Sequence, residues 1–351
     1  MKKTLTLLAA LAGTTFWTTA ALAQDELNAL VWCDHTDDAL IKPFEEAHNV
    51  KVNLKEYEGT GQALSILAQS KPGDWDVLVI DGIDVRRAVE ANILAPLPTD
   101  QLPYDTMFPE MVMADQQVID GKTYAISEKF GYNTVSFNSD TVKATDMADM
   151  TKLWSGDFKG RIAVYDYYLP VIGMVAMGLG MKTADLTLAD LPKIEDALMK
   201  LKDSAASVGE VVSSQTALAT GAVDILFGGG EWVTAGLHAE NPNLDWIMPE
   251  QGAVRWSQSI GVVAGAKHPD MALEFVKYIL SPEGQARLAT SSCYWGMPTN
   301  KAAGDVLTAD QKVALRWDDQ PSYLARAQLY PAPDAALDQA MQDMWTRFLA
   351  H

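Results

Sequence analysis

The sequence is poor in the residues that most often carry chemistry. Of its 351 residues, two are cysteine and five are histidine, and the histidines are scattered as His35, His48, His238, His268 and His351. No G-x-S-x-G, H-E-x-x-H, P-loop or G-x-G-x-x-G pattern occurs, so a nucleophile elbow, a zinc helix and a dinucleotide or phosphate cradle all lack their signatures. No catalytic residue, metal ligand or cofactor is therefore expected. Basic charge is also scarce: 27 Lys and Arg stand against 46 Asp and Glu, a formal charge of -19. Such a surface repels nucleic acid and anionic lipid and favours cationic solutes, although the same acidity also serves solubility. Long apolar runs are missing too. Charges or Gly/Pro clusters interrupt every stretch before it reaches the ~20 residues of a bilayer span.

At the beginning of the chain, Lys2 and Lys3 precede an apolar run from Leu5 to Ala12, and Ala21-Leu22-Ala23 forms an A-x-A site before Gln24. This is the pattern of a cleaved secretory signal over residues 1–23. No cysteine directly follows the small residues of that site, so a free periplasmic protein is expected in place of a lipid-anchored one. Cys33 and Cys293 are the two thiols, and an oxidising compartment permits one bridge between them. Two free structural thiols remain an alternative. A Cys nucleophile in Cys33-Asp34-His35 is a third reading, disfavoured because sequence neighbours on an extended strand end point to opposite sides.

Removing the signal leaves roughly 330 residues, more than one core usually organises, which points to two lobes. The first reads βαβαβα: strand Leu27 to Trp32, helix Asp37 to His48, strand Val50 to Tyr57, helix Gln62 to Ser70, the nearly continuous apolar strand Trp75 to Ile80, and helix Val85 to Ala91. That pattern predicts an α/β lobe with a largely parallel sheet. A second α/β pattern has strand Arg161 to Tyr165, helices Val171 to Leu179 and Leu191 to Ala205, and strand Val223 to Phe227, which ends in Gly228-Gly229-Gly230. The stretches Gly131 to Asn138 and Arg255 to Gly265 suit strands that cross between lobes. Helices are expected at Asp270 to Leu280, from Ser281-Pro282-Glu283, and at Ala335 to Leu349. The expected division is 24–135 with 258–300 in one lobe and 136–257 with 301–351 in the other. In open α/β sheets ligands lie beyond the carboxyl ends of the strands, which singles out Trp32 to His35 and Asp81 to Asp84.

Several ordered motifs carry a family likeness. They include Val31-Trp32-x-Asp34, Phe44-Glu45-x-x-x-Asn49-Val50-Lys51-Val52, Trp75-Asp76-Val77-Leu78-Val79, Leu94-Ala95-Pro96-Leu97 and Phe130-Gly131-Tyr132-Asn133. Pro249-x-x-Gly252-x-x-x-Trp256, Leu280-Ser281-Pro282-Glu283 and Pro298-Thr299-Asn300 follow in the same order. With these the chain resembles the periplasmic spermidine/putrescine-binding proteins of ABC importers over nearly all of its mature length. The resemblance implies a monomer with two α/β lobes around a cleft. Crossover strands connect the lobes, and the closed form delivers a small amine to a membrane permease.

The resemblance also implies site residues. Trp32, Asp34 and Trp256 stand where the family has ligand contacts, with His35 in place of an aromatic residue and Asp81 in place of a small hydroxyl residue. In the second lobe Tyr167 falls where an acid is expected, with Asp166 adjacent. Glu231 is next to another lost acid at Gly230, and Gln258 replaces a third. Loss of these carboxylates argues against a long, doubly charged polyamine, and Arg255 adds a positive group that would suit a solute with one ammonium and one carboxylate. A small amine, a betaine-like cation or an amino acid relative is therefore expected as readily as putrescine. Aromatic faces attract cations and carboxylates fix ammonium groups, so this set points to an organic cation. Trp232, Trp295 and Tyr168 read as packing residues. Two other functions come from different classes. Tyr165, Tyr167, Tyr168 and His35 invite comparison with ferric-ion binders, and the Gly228 to Gly230 run is a weak anion-cradle signal for a secreted hydrolase.

Overall fold

The computed structural model describes residues 25–351; the expected signal over 1–23, with Gln24, lies outside the described residues. The first lobe starts with strand Asp25–Val31, followed by helix Asp38–His48. That helix begins where the Asp37 carboxylate accepts the Ala39 N–H at 2.9 Å, and it ends at Asn49, whose φ of 49° is left-handed. Its buried Leu40, Ile41 and Phe44 face inward, and Phe44 meets Phe275 edge to face at 5.0 Å. Strand Val50–Glu56, helix Thr60–Gln69, strand Val77–Asp81 and helix Val85–Glu90 complete the expected βαβαβα run.

In the second lobe, strand Ile162–Tyr165 leads to helix Tyr168–Gly178, in which Leu169 to Met177 are all buried. A helix apolar all round is stable only inside a core. Helix Leu191–Ser204 and strand Ile225–Gly229 fall where expected. Strand Ala205–Gly209, helix Val211–Ala219 and strand Leu244–Ile247 were not legible in the sequence. Their short apolar content is mixed with Ser, Thr and charged residues, which hides any period.

One curled sheet joins the lobes. Its order is Val50–Glu56, Asp25–Val31, Val77–Asp81, Val254–Val262, Ile126–Asn138, Ile225–Gly229, Ile162–Tyr165 and Ala205–Gly209. The three strands at each end run parallel, and the two in the middle are antiparallel to each other and to their outer neighbours. The middle pair are the crossing strands. Ile126–Asn138 pairs with Val254–Val262 up to Asn133, then with Ile225–Gly229 from Thr134, with a bulge between Thr134 and Val135. A second irregularity lies between Gln258 and Ser259. Bulges bend a strand and sharpen its twist, and these sit where the sheet passes from one lobe to the other.

Each end of the sheet is packed on both faces. Ala29, Val31, Val77 and Val79 enter one core of the first lobe, while Leu30, Leu78 and Ile80 enter another on the opposite face. Ile162, Val164 and Phe227 likewise face one second-lobe core, and Ala163 and Leu226 face the other. The C-terminal region divides between lobes. Ala303, Leu307, Leu315 and Leu324 pack in the first core, whereas Leu337, Met341, Met344 and Phe348 of helix Ala335–Ala350 pack in the second. Between them Gln328–Leu329 pairs with Val254–Arg255 and makes a third crossing.

Candidate functional site

The carboxyl ends of the parallel strands from both lobes converge on one cavity. Trp32 and Asp81 reach it from the first lobe, and Tyr165, Tyr167, Val211 and Trp232 from the second. The crossing strands add Asn133, Trp256 and Gln258, and Tyr294 and Tyr330 close the wall. At about 110 Å³ it is smaller than a drug-sized pocket, so it suits a small solute. Seven of its eleven lining residues are aromatic, and Asp81 is the one charged residue among them.

The Asp81 carboxylate lies at the end of strand Val77–Asp81, half-buried, without a hydrogen-bond partner among the described residues. Burial, with the nearby Asp84 charge as a smaller contribution, pushes its pKa up to about 7. Three other polar atoms of the wall are buried and unpartnered: the indole N–H groups of Trp32 and Trp232 and the Gln258 amide oxygen. Buried polar groups are nearly always paired, so unpaired ones on a cavity wall mark where a ligand's own polar atoms belong. An ammonium matches Asp81 and the ring faces, and a hydrogen-bond acceptor matches the indole donors.

Trp32, Asp81, Tyr167, Trp256 and Gln258 therefore lie together, as the sequence suggested. Asp34, His35, Asp166, Glu231 and Arg255 do not line the cavity. For Arg255 the reason is strand alternation, whereas Asp166 lies in the tight turn after strand Ile162–Tyr165, where the Tyr167 N–H donates to the Tyr165 carbonyl at 2.9 Å. Tyr165 and Tyr167 face the cavity, and Asp166 between them points away and accepts the Trp345 indole N–H at 3.0 Å. Trp256 and Gln258 face it likewise, and Arg255 points to the far side beside Tyr132 and Glu110. Glu231 is tucked behind Trp256, where its carboxyl accepts the Tyr132 N–H at 3.0 Å. Only glycine permits this approach, because a Cβ on Gly131 would meet the Glu231 carboxyl at 1.8 Å and the Trp256 ring at 2.4 Å. Burial raises the Glu231 pKa to about 8.

Asp34 and His35 belong to a buried quartet. The Lys129 ammonium donates to Asp34 at 2.9 Å, and His35 is paired with Asp34 at 2.9 Å and Glu128 at 3.1 Å. Burial alone would lower the His35 pKa, but the Glu128 and Asp34 charges outweigh it and raise the pKa to about 10. Burial alone would raise Asp34, yet Lys129 and His35 hold it well below the ordinary carboxylate range. Two cations and two anions thus neutralise one another, and both Asp34 oxygens are already engaged, one by His35 and one by Lys129. The residue that caps the following helix is Asp37.

Sequence reasoning missed Tyr294, Tyr330, Asn133, Tyr165, Val211 and Trp232 as wall residues. Tyr294 was within reach, because Cys33 and Cys293 are bonded and their neighbours Trp32 and Tyr294 both line the cavity. Tyr330 arrives on the third crossing and donates its hydroxyl to Asn133 at 2.9 Å, a contact across 197 residues that no local pattern reveals. Gln258 donates to the Tyr294 hydroxyl at 2.7 Å and fixes that ring.

Of the residues of the iron comparison, Tyr165 and Tyr167 meet at the cavity but His35 and Tyr168 do not join them. His35 is enclosed by Asp34 and Glu128, and Tyr168 donates to Asp338 at 2.7 Å. Burial pushes the Tyr165, Tyr167 and Tyr168 phenols up, away from the phenolate form that a ferric ion needs. Among the described residues no group of three or more His, Cys, Asp or Glu is arranged to hold a metal ion, and no helix is long and apolar enough to cross a membrane.

Residues 39–315 match the family model described as bacterial extracellular solute-binding protein. The spermidine/putrescine-binding periplasmic protein of Escherichia coli is 24% identical over 300 residues, 83% of each chain. Spermidine/putrescine-binding periplasmic protein 1 of Haemophilus influenzae is 20% identical over 327 residues, 92% of this chain and 85% of the relative. A solved structure described as a putative spermidine/putrescine ABC transporter from Listeria monocytogenes superposes with a TM-score of 0.77 at 20% identity. It covers 92% of this chain and 98% of its own, which supports the two-lobed fold.

Proposed function

The chain belongs to the bacterial extracellular solute-binding proteins, and from that premise we propose that it is the periplasmic receptor of an ABC importer for a small organic cation. In this role it captures an amine in the cleft and carries it, as a single chain, to the membrane permease. The observation that carries the reading is Asp81: one unpaired carboxylate in a wall of seven aromatic rings. Ring faces contribute roughly 0.5 to 2 kcal/mol each to a desolvated cation. The carboxylate adds a hydrogen bond in which both partners are charged, which a neutral sugar could not match and an anion could not make. The names of the relatives, which specify spermidine and putrescine, support the amine class.

Closure on the solute would use the three crossings as hinges. Wall residues come from both lobes, so a bound cation favours the state in which Trp32 and Asp81 lie near Tyr167 and Trp232. For the lobe boundaries we propose 126–138, 254–262 and 328–329 as the shared hinge segments.

Thermal-shift measurement of the mature protein against putrescine, spermidine, monoamines, betaines and ω-amino acids, with sugars, oxyanions and ferric citrate as the contrasting classes, tests this reading. Stabilisation follows RT ln(1 + [L]/Kd) for any solute in excess. A rise in melting temperature with at least one cationic amine is expected. No rise with any amine, together with a rise for a sugar, an oxyanion or ferric citrate, rejects the amine reading.

A further inference from the structure

The buried quartet behind the cavity has a ligand-like geometry. The Lys129 ammonium is held by the Asp34 carboxylate at 2.9 Å and by the Tyr294 carbonyl at 2.9 Å, and it lies 4.2 Å from the centroid of the Tyr294 ring. Carboxylate, carbonyl and aromatic face are the three groups that recognise a primary ammonium. Tyr294 itself lines the cavity, whereas Lys129 is enclosed and does not. Lys129 also packs close to the wall, because a Cβ on Gly296 would meet Lys129 Cε at 2.7 Å and the Trp256 ring at 2.9 Å.

A fully buried lysine is rare, and a buried ion pair is often no more stabilising than apolar residues of the same volume. The position of this one therefore calls for a role other than holding the lobe together. We propose that Lys129 is a built-in ammonium that fills the acidic subsite at Asp34, so that the cleft accepts solutes with one cationic centre and disfavours α,ω-diamines.

The charge count supports this. Asp34 and Glu128 are balanced by His35 and Lys129, which leaves Asp81 as the one uncompensated carboxylate facing the cavity. A diamine would place its second ammonium against ring faces with no carboxylate to pair it, and ring faces alone do not offset the loss of its water. A solute with one ammonium and an acceptor at its other end would meet Asp81 and the free Trp32 and Trp232 indole donors instead. This deepens the amine reading and rests on it.

Titration calorimetry at pH 7.5 with n-butylamine and 1,4-diaminobutane tests the proposal, using the mature wild-type protein and Lys129→Met. Methionine keeps the length of the side chain and removes the charge. The wild type is expected to bind the diamine no more tightly than the monoamine. In Lys129→Met the uncovered Asp34 charge should improve diamine affinity relative to butylamine by about tenfold or more, and adding Asp34→Asn should abolish that gain. Wild-type protein that binds the diamine tenfold more tightly than butylamine overturns the proposal even if the variant does not fold. A folded Lys129→Met with an unchanged diamine to monoamine ratio also overturns it, while leaving the amine reading intact. Binding of neither amine by the wild type or by Lys129→Met overturns this inference, and the amine reading is then decided by the wider thermal-shift series.

Discussion

Cys33 and Cys293, 260 residues apart, are joined by a disulfide with a Cα–Cα distance of 6.0 Å, and each is followed or preceded by a ring of the cavity wall. Trp32 comes just before Cys33 at the end of strand Asp25–Val31, and Tyr294 comes just after Cys293. The bond therefore links the opening strand of the first lobe to the segment that carries Tyr294, on which both Gln258 and Lys129 converge. Chain-entropy reasoning for a loop of this length gives stabilisation on the order of 5 kcal/mol. We expect reduction, or Cys33→Ser with Cys293→Ser, to lower the melting temperature and to weaken solute binding as the two rings lose their shared anchor. Melting curves with and without reductant check the first effect and calorimetry the second. Unchanged affinity in folded, reduced protein would confine the bridge to a structural role.

Trp32 is half-buried, stacks at a tilt on Tyr57 at 4.8 Å, lines the cavity and has a buried, unpartnered indole N–H. It packs at the edge of both first-lobe cores, while the strand itself is anchored by the fully buried Leu27, Ala29, Leu30 and Val31. Trp32→Ala should therefore fold and melt close to the wild type while losing roughly 2- to 30-fold in affinity, the value of one desolvated cation–π contact. Three of the ten tryptophans line the cavity, so solute binding should also change the intrinsic fluorescence, and less so in this variant. Equal affinity in both proteins would take Trp32 out of the site.

Much of the fold was legible because its elements are strongly periodic. The run Val77 to Ile80 is wholly buried, as a continuous apolar strand should be, and the helix ending at His48 shows its inward face in Leu40, Ile41 and Phe44. The site was legible in part. Trp32 and Asp81 follow parallel strands, where open α/β sheets place ligands, but the partners of Asp34 were hidden. Lys129 lies 95 residues away on a crossing strand, and nothing local marks it as buried. Alternation could have excluded Arg255 once Trp256 was chosen, since neighbours on a strand face opposite ways, whereas Asp166 sits in a turn just past its strand. Tyr330 required knowledge of the third crossing, and two residues of strand leave no periodic trace.

Buried acids should make the ligand-free protein more stable at mildly acid than at mildly alkaline pH. Burial raises Glu231 to about 8 and, with Asp84 nearby, Asp81 to about 7, whereas in the unfolded chain both ionise near 4. Between about pH 5 and 8 the folded protein thus binds more protons than the unfolded one, and stability falls as pH rises. The His35 pKa, raised to about 10, acts in the same direction, its contribution being complete below about 6.5 and lost toward 10. Melting temperatures should drop by several degrees from pH 5.5 to 8.5. Glu231→Gln, which keeps an acceptor for the Tyr132 N–H, should flatten the trend. A melting temperature that rises over this range would contradict the burial of Glu231.

Solute affinity should follow the opposite trend, and Asp81 is the reason. With its pKa at about 7 in the empty cleft, the carboxyl is largely protonated below that pH, and a cation must displace the proton to be held. Each unit below about 7 should cost roughly tenfold in affinity for an amine that stays charged throughout, so binding at pH 5 should be about 100-fold weaker than at pH 8. Near pH 7 each bound solute should release about half a proton, measurable by calorimetry in two buffers of different ionisation enthalpy. Asp81→Asn removes the charge and keeps the size. It should weaken binding at pH 8 by roughly 10- to 150-fold, the value of a hydrogen bond to a charged group, and abolish the pH dependence. If the wild-type profile is flat from pH 5 to 8, or Asp81→Asn leaves it unchanged, the ammonium is held elsewhere in the wall.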